Sequence, residues 1–222
     1  MDMADATGEG YPLVLQSGAD PSTLGGVAVC GLTTVGSVGV IAASHLIASL
    51  GLKPMGTVIH PEFPAVALIQ ESVPKHPVRV YQGEEMGVFI SEIQFPQASD
   101  FQFGNTVLEW FQKGGFDRLV IIDGLVSEDL GLKEDGDIWG VASLQSGRDA
   151  LDTVGIQRIQ QGIVTGVSGF LLAEGERQGL DITVLLAECN PVYPDARAAL
   201  IAVESLCDFC LLYTSPSPRD TG

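Results

Sequence analysis

Residues 25–50 read GGVAVCGLTTVGSVGVIAASHLIASL, and the order of features within this stretch decides the fold class. Residues 25–32 form a short apolar run bounded by glycines, which is typical of a buried strand. From residue 38 onward apolar residues recur at helical spacing, and Ser37 is placed to cap the helix. A strand, a glycine-containing turn and a helix therefore follow one another, which is the basic unit of an α/β sheet.

The turn between this strand and helix contains three glycines, which raises the question of nucleotide binding. Gly31 and Gly36 have the spacing of a phosphate-binding loop, but Ser37 and Val38 occupy the positions that need Lys and Ser or Thr. Together with Gly39 they also fail to match the G-x-G-x-x-G fingerprint of dinucleotide sites. We therefore predict a turn that lets the helix pack closely on the sheet, with anion binding at the helix start as the alternative.

The next part of the chain is rich in strands. Four short runs, PMGTVIH, AVALIQE, VRVYQGE and MGVFISEI, are separated by Pro, Gly and charged residues. A helix is then predicted from Ser99 to Gly114, a continuous apolar strand at residues 117–125, an acidic loop at 127–137 and a strand at 138–144. Helices and buried strands thus alternate around a strand-rich insert.

The last predicted elements repeat this alternation. They are a helix ending at Gly179, a strand at residues 180–189 and a helix with Pro194 near its first turn. The whole pattern predicts a single three-layer α/β/α domain with a mostly parallel or mixed sheet.

Three segments are expected along the 222 residues. Residues 1–24 are Gly- and Asp-rich and predict a loose start with an edge strand, and residues 25–210 form the α/β domain. Residues 211–222, which include SPSPRDTG, predict a disordered tail that resembles translated vector sequence and is not native.

Composition excludes several classes of function. Hydrophobic residues make up 45% of the chain, which predicts a folded core, and the formal net charge of −17 argues against binding to nucleic acid or to anionic membranes. No Lys or Arg precedes Lys53, and no window approaches 18 uninterrupted apolar residues. We therefore expect a cytoplasmic protein, whose four cysteines are reduced.

Residue types that often carry catalysis do not form a complete motif. His45, His60 and His76 lie outside any zinc-binding pattern, and His45 falls on the apolar face of the predicted helix. Ser168, in GVSGF, misses the nucleophile-elbow pattern by one residue.

Metal sites and reactive thiols find equally little support. Cys207 and Cys210 form a C-x-x-C pair at a predicted helix end with no second pair, which favours structural thiols over a redox or zinc site. The acidic segment around residues 135–137 lacks the full calcium-loop pattern. We predict no metal and no cofactor.

Residues 172–199, LAEGERQGLDITVLLAECNPVYPDARAA, carry the most information. Glu174, Glu176 and Arg177 lie at a predicted helix end, and Glu188 lies at the carboxyl edge of a predicted strand, where ligands of α/β sheets bind. These groups would suit acid–base chemistry if they converged.

A structural interpretation of the same segment is the alternative. Asp195 in a first helical turn complements the helix dipole, and Arg197 is placed to pair with a carboxylate.

Three segments together resemble the proteasome assembly chaperone 2 family in its archaeal form: GLTTVGSVGVIAASHLI, FDRLVIIDGL, and GVSGFLLAEGERQGLDITVLLAECNPVYPDARAA. The resemblance covers residues 25–209. It implies a phosphorylase/hydrolase-like fold, self-association into oligomers and a chaperone role in assembling the α-ring of the 20S proteasome. It implies no catalytic residues.

The resemblance also marks positions that define the fold or form a surface. They are Gly31, Gly36, Gly39, Glu174, Glu176, Arg177, Glu188, Pro191, Tyr193, Pro194 and Asp195. Some family members end in a hydrophobic-Tyr-X tripeptide whose carboxylate docks between proteasome α-subunits. The similar tripeptide at residues 212–214 is internal here, so we do not expect it to dock.

The sequence therefore predicts a non-enzymatic, oligomeric protein that binds 20S proteasome α-subunits or assembly intermediates. Met86 and Phe89 are candidates for its interface, although such residues more often belong to a core. The alternatives are a small-molecule ligase or hydrolase that uses the carboxylates at the sheet edge, and an oligomeric scaffold with another client.

Overall fold

The computed structural model describes residues 9–16, 19, 26–126 and 136–214, with side chains as far as Cys210. The strands in these ranges are β1 (Leu13–Leu15), β2 (Val27–Leu32), β3 (Lys53–Val58), β4 (Leu68–Gln70), β5 (Val73–Lys75), β6 (Val78–Gln82), β7 (Met86–Ser91), β8 (Arg118–Val126), β9 (Ile138–Ala142), β10 (Gln157–Arg158) and β11 (Ile182–Cys189). The helices are α1 (Val38–Ser49), α2 (Asp100–Lys113), α3 (Gln145–Thr153), α4 (Gly166–Gln178) and α5 (Ala196–Thr214).

Nine of these strands form one sheet, in the order β1-β3-β6-β7-β2-β8-β11-β9-β10. The central strands β7, β2, β8 and β11 are parallel, whereas β1, β3 and β6 on one side and β9 on the other pair antiparallel. Strands β4 and β5 form a separate hairpin. The predicted mixed sheet in an α/β fold is therefore confirmed.

Helices cover both faces of the central strands, because side chains along each strand alternate between two apolar clusters. In β2, Val29 belongs to the cluster shared with α1, α3 and α5, while Ala28 and Cys30 belong to the cluster shared with α2 and α4. The all-buried runs of β2, β8 and β11 follow from this double coverage.

Helix α1 lies unusually close to β2 and β8. A Cβ on Gly31 would overlap the carbonyl oxygen of Gly39, and a Cβ on Gly39 would overlap the carbonyl oxygen of Ile122. Gly36 has a φ of 60°, and a Cβ there would lie 2.7 Å from the Sγ atom of Cys189. The three glycines thus provide the close packing that the sequence predicts.

The chain start is tied to the sheet where the structure describes it. β1 is an edge strand paired with β3, and the backbone N–H of Tyr11 donates to Oγ1 of Thr106 at 2.6 Å. Tyr11 is buried. The predicted edge strand is present and residues 9–16 are not loose, while the rest of residues 1–24, apart from Ala19, lies outside the described residues.

Several local predictions are wrong. Neither Ser37 nor Ser99 makes a side-chain capping hydrogen bond, because each lies in a short 3-10 turn that precedes its helix. The backbone of Ser37 adopts the left-handed conformation. His45 is exposed beside Ser49, and Phe89 lies in the core. Helix α3 was not predicted.

The C-terminal helix is longer than predicted. α5 continues through Thr214, so helical structure extends past residue 211, where the sequence predicts the tail to begin. Residues 215–222 and most of the predicted acidic loop, at positions 127–135, lie outside the described residues.

We expect Gly39→Ala to destabilise the fold by at least ~1–3 kcal/mol, because the added Cβ would meet backbone atoms that cannot move independently. Gly162→Ala is the control, since its Cβ would come no nearer than 3.4 Å to a side-chain carbon of Ile159. Urea unfolding of both variants measures the difference. Equal stability of the two variants would contradict the packing role of Gly39.

Candidate functional site

A cleft opens at the carboxyl edge of the central strands, between the ends of β2 and β8. After β2 the chain crosses to α1 and β3 on one side of the sheet, whereas after β8 it continues to β9 and β11 on the other side. Such a divergence between adjacent parallel strands leaves a crevice, which is the usual ligand position in α/β sheets. The cleft here has a volume of about 720 Å³, within the range of ligand sites.

Five stretches of chain line this cleft. They are Leu32–Ser37 after β2, Ile93–Phe95 with Asp100, Asp123–Leu125 with Leu186, Ile159 and Ile163–Ser168 before and in α4, and Pro191–Pro194 before α5.

Asp123 holds the centre of the cleft through three hydrogen bonds. Its carboxylate accepts from Oγ1 of Thr34 at 2.5 Å, from Oγ of Ser168 at 2.7 Å and from the backbone N–H of Gly124 at 2.8 Å. Ser168 is buried in the first turn of α4, and Thr34 belongs to the turn before α1. One carboxylate therefore joins the starts of two helices from opposite faces of the sheet.

Asp100 is a second carboxylate in the lining. It is the first residue of α2 and is partly buried, and this burial raises the pKa of its carboxyl. Its Oδ2 atom lies close to the backbone of Gly166, at 3.9 Å from where a Cβ would stand.

The loop between β11 and α5 forms one wall of the cleft and is held by the glycine turn. The N–H of Asp195 donates to the carbonyl oxygen of Gly36 at 2.8 Å. Cys189 and Asn190 also lie against Gly36. The turn after β2 and the loop after β11, far apart in sequence, thus support each other.

Asp195 caps α5. Its Oδ1 accepts from the N–H of Ala198, and its Oδ2 accepts from the N–H of Asn190 and from Arg197 at 3.3 Å. Burial opposes ionisation, but these two N–H groups and the Arg197 guanidinium outweigh it and lower the pKa of Asp195. The structural interpretation of Asp195 and Arg197 from sequence matches this geometry.

The predicted catalytic carboxylates do not come together. Glu174 is buried and accepts hydrogen bonds from two nitrogens of Arg177, which lowers the pKa of its carboxyl. Glu176 is exposed. This end of α4 packs near Ile182, the first residue of β11. Glu188 lies six residues further along that strand, about 20 Å away at roughly 3.3 Å per residue.

Glu188 has a structural environment of its own. Its side chain accepts from the N–H of Asp137 at 3.3 Å and from Nε1 of Trp139 at 3.4 Å, and its carbonyl accepts from Arg197. It is buried and does not line the cleft. An acid–base site built from Glu174, Glu176 and Glu188 is therefore ruled out by distance.

Within the described part of the chain, the cleft has neither a reactive thiol nor a metal-binding group. All four cysteines are free, and burial raises the pKa of Cys189 and of Cys210 to about 11, which keeps both protonated at neutral pH. No group of three His, Cys, Asp or Glu side chains there is placed to hold a metal ion.

The model of the PAC2 family matches residues 28–217, which is most of the chain. The chain belongs to the PAC2 family.

Several archaeal proteins are similar to this chain. A crystal structure of PbaA from Pyrococcus furiosus, described as an archaeal homolog of proteasome-assembly chaperone, is 28% identical with a TM-score of 0.82, covering 94% of this chain and 84% of PbaA. PbaB from the same organism, described as an archaeal proteasome activator, is 19% identical with a TM-score of 0.75, covering 91% of this chain and 89% of PbaB. An uncharacterised protein of Methanocaldococcus jannaschii is 25% identical over 77% of this chain and 69% of its own length.

The PAC2 segments quoted from the sequence all reach the cleft, but its central residues were not predicted. Asp123, Ser168 and Asp100 were missed as a group. The signal for Asp123 was present in DRLVIIDGL, where a lone carboxylate follows a continuous apolar run and so lies at the carboxyl edge of a buried strand. Asp100 and Ser168 come from helix starts that only the tertiary fold brings to this edge.

Membrane crossing finds no support in the described helices of this PAC2 chain, because none of them combines the length and the apolar character that a bilayer span requires.

Asp195→Ala should destabilise this PAC2 domain by about 1–2 kcal/mol at neutral pH, through loss of the helix cap. Because the folded-state pKa of Asp195 is lowered, this contribution is complete above the unfolded-state value of about 3.9 and is lost as the pH falls through the folded-state pKa. Denaturant unfolding across this pH range measures the difference in the free energy of unfolding between the variant and the parent chain, which should narrow as the pH falls.

Asp208→Ala, at an exposed position on the same helix, is the matched control and should change stability by less than about 0.5 kcal/mol. A gap for Asp195→Ala that stayed constant down to the acid limit would contradict the role of the ionised carboxylate.

Proposed function

We propose that this PAC2 chain is a non-catalytic, cytoplasmic chaperone that forms oligomers and binds 20S proteasome α-subunits or their assembly intermediates through a protein interface. The observation that carries the proposal is the 28% identity and TM-score of 0.82 to PbaA over 94% of the chain. Because the similarity extends over nearly the whole domain, the surface residues of the two proteins are carried by the same backbone fold.

The site geometry supports a binding role over the alternative of a ligase or hydrolase. Of the carboxylates proposed for catalysis, only Glu188 lies near the carboxyl edge of the sheet, and it is occupied by structural hydrogen bonds. Histidine, lysine and arginine are absent from the described residues that line the cleft. A site without a strong base or a cation has little means to activate a nucleophile or stabilise a developing anion.

Surface chemistry also supports protein binding. The chain carries 28 Asp and Glu against 11 Lys and Arg, which disfavours nucleic acid and favours partners with basic surfaces. Exposed apolar side chains accompany this charge, including Tyr193 and Ile163 on the loops of the cleft.

Native mass spectrometry tests this proposal. The full chain is mixed with archaeal 20S α-subunits, and with β-subunits of the same proteasome as the control, at several salt concentrations. We expect a defined oligomer that forms a discrete complex with α-subunits and survives moderate salt, because apolar contacts persist when charges are screened. Recovery of no α-subunit complex at any salt concentration, or equal binding to β-subunits, would contradict it.

A further inference from the structure

The mouth of the cleft carries a group of apolar side chains that the described part of the chain leaves exposed. Ile163 is 90% exposed, Val192 84% and Tyr193 62%, and Val35 is also exposed. These residues come from three separate loops, before α4, before α5 and before α1, and all of them line the same opening. Apolar residues exposed around one opening are typical of a binding surface, in contrast to singly scattered ones.

The interior of the cleft has the opposite character. Among the described residues that line it, the carboxylates are Asp100 and Asp123, and none is Lys, Arg or His. Among the described residues, the hydrogen-bond partners of Asp123 are two hydroxyls and one backbone N–H, all of them neutral. The Asp123 carboxylate is therefore held in a fixed position, with no cation among the described residues of the lining.

The charge of the cleft interior and the apolar mouth together limit which ligands can bind. An anionic ligand would face both carboxylates, so phosphate and carboxylate groups are disfavoured. A second copy of this chain offers only 11 Lys and Arg against 28 Asp and Glu, so we expect the proposed oligomer contacts at other surfaces of the domain and not in this acidic cleft. A cationic side chain would be attracted to the interior, and its apolar neighbours would cover the mouth.

We infer that the cleft binds a segment of a partner protein that presents a lysine or arginine side chain between apolar side chains. The basic group enters toward Asp123 and Asp100, and the flanking apolar side chains pack on Ile163, Val192 and Tyr193. Where the proposed function holds, on which this identification of the partner rests, the segment belongs to a proteasome α-subunit or an assembly intermediate.

Two blocked tripeptides test the chemistry without any proteasome protein. Titrations of the 15N-labelled full chain with acetyl-Leu-Arg-Leu-amide and with acetyl-Leu-Gln-Leu-amide are followed by NMR. We expect the Arg peptide to shift the amides of Gly36, Gly124 and Ser168 and to bind about tenfold more tightly than the Gln peptide, with the difference shrinking as salt increases.

Three results of the tripeptide titrations would overturn the inference: equal affinity for the two tripeptides, amide shifts confined to other surfaces, or no binding of the Arg peptide up to about 10 mM. Binding of acetyl-arginine-amide alone as tightly as the tripeptide would also overturn it, because the occupant would then be a small cation and the apolar rim would contribute nothing.

Matched variants connect the cleft to the partner. Ile163→Lys places a cation at the rim, and Ile69→Lys makes the same change at an exposed position of the β4–β5 hairpin, away from the cleft. Asp100→Asn removes one interior charge with little change of shape. We expect about tenfold weaker binding of the Arg peptide for Ile163→Lys and Asp100→Asn and less than about twofold change for Ile69→Lys.

The same variants, mixed with α-subunits, separate the two proposals. If the parent chain and Ile163→Lys bind α-subunits equally well, the cleft is not the docking surface and the inference fails while the proposed function stands. If the Arg peptide occupies the cleft but no α-subunit binds the parent chain, the proposed function fails and the binding chemistry of the cleft stands.

Discussion

The approach of α1 to the middle of the sheet is the contact on which the rest of the structure depends. Gly31 and Gly39 face each other without side chains, so the helix backbone lies directly against β2 and against Ile122 of β8. The alanines of α1, among them Ala42 and Ala43, continue this thin layer and are fully buried. Because the helix cannot stand further away, the connection that leads into it must turn sharply over the sheet edge.

That turn determines where the last helix, α5, begins. Gly36 adopts a positive φ and accepts a hydrogen bond from the N–H of Asp195, whose side chain in turn caps α5. Any residue with a Cβ at Gly36 would meet Cys189 and displace this loop. The cleft wall is therefore a consequence of backbone packing, and its loops hold their exposed side chains on a framework that is itself rigidly supported.

The parts of this arrangement that depend on local sequence patterns could be predicted from the sequence. The strand, turn and helix around Gly36 and the glycine stop at Gly179 follow from periodicity and turn chemistry, and they are present. Helix α3 was not predicted because residues 145–153 contain few apolar residues, so its structure depends on tertiary contacts through Leu151 and Ala150. Whether Glu174 and Glu188 converge could not be predicted from sequence, because it depends on how α4 packs along β11, and the end of α4 lies beside the start of that strand.

The geometry around Asp123 explains why a cleft at an enzyme-like position need not carry out chemistry. Both hydroxyls nearest the carboxylate, on Thr34 and Ser168, donate their protons to it and are thereby fixed as structural donors. A carboxylate is a far weaker base than an imidazole, so it activates a serine poorly, and no histidine is among the described residues that line the cleft. The hydrogen-bond donors that hold the Asp123 carboxylate are all neutral, so none of them competes as a cation with an external basic group. The hydrogen bonds from Thr34, Ser168 and the N–H of Gly124 therefore orient Asp123 as a binding group.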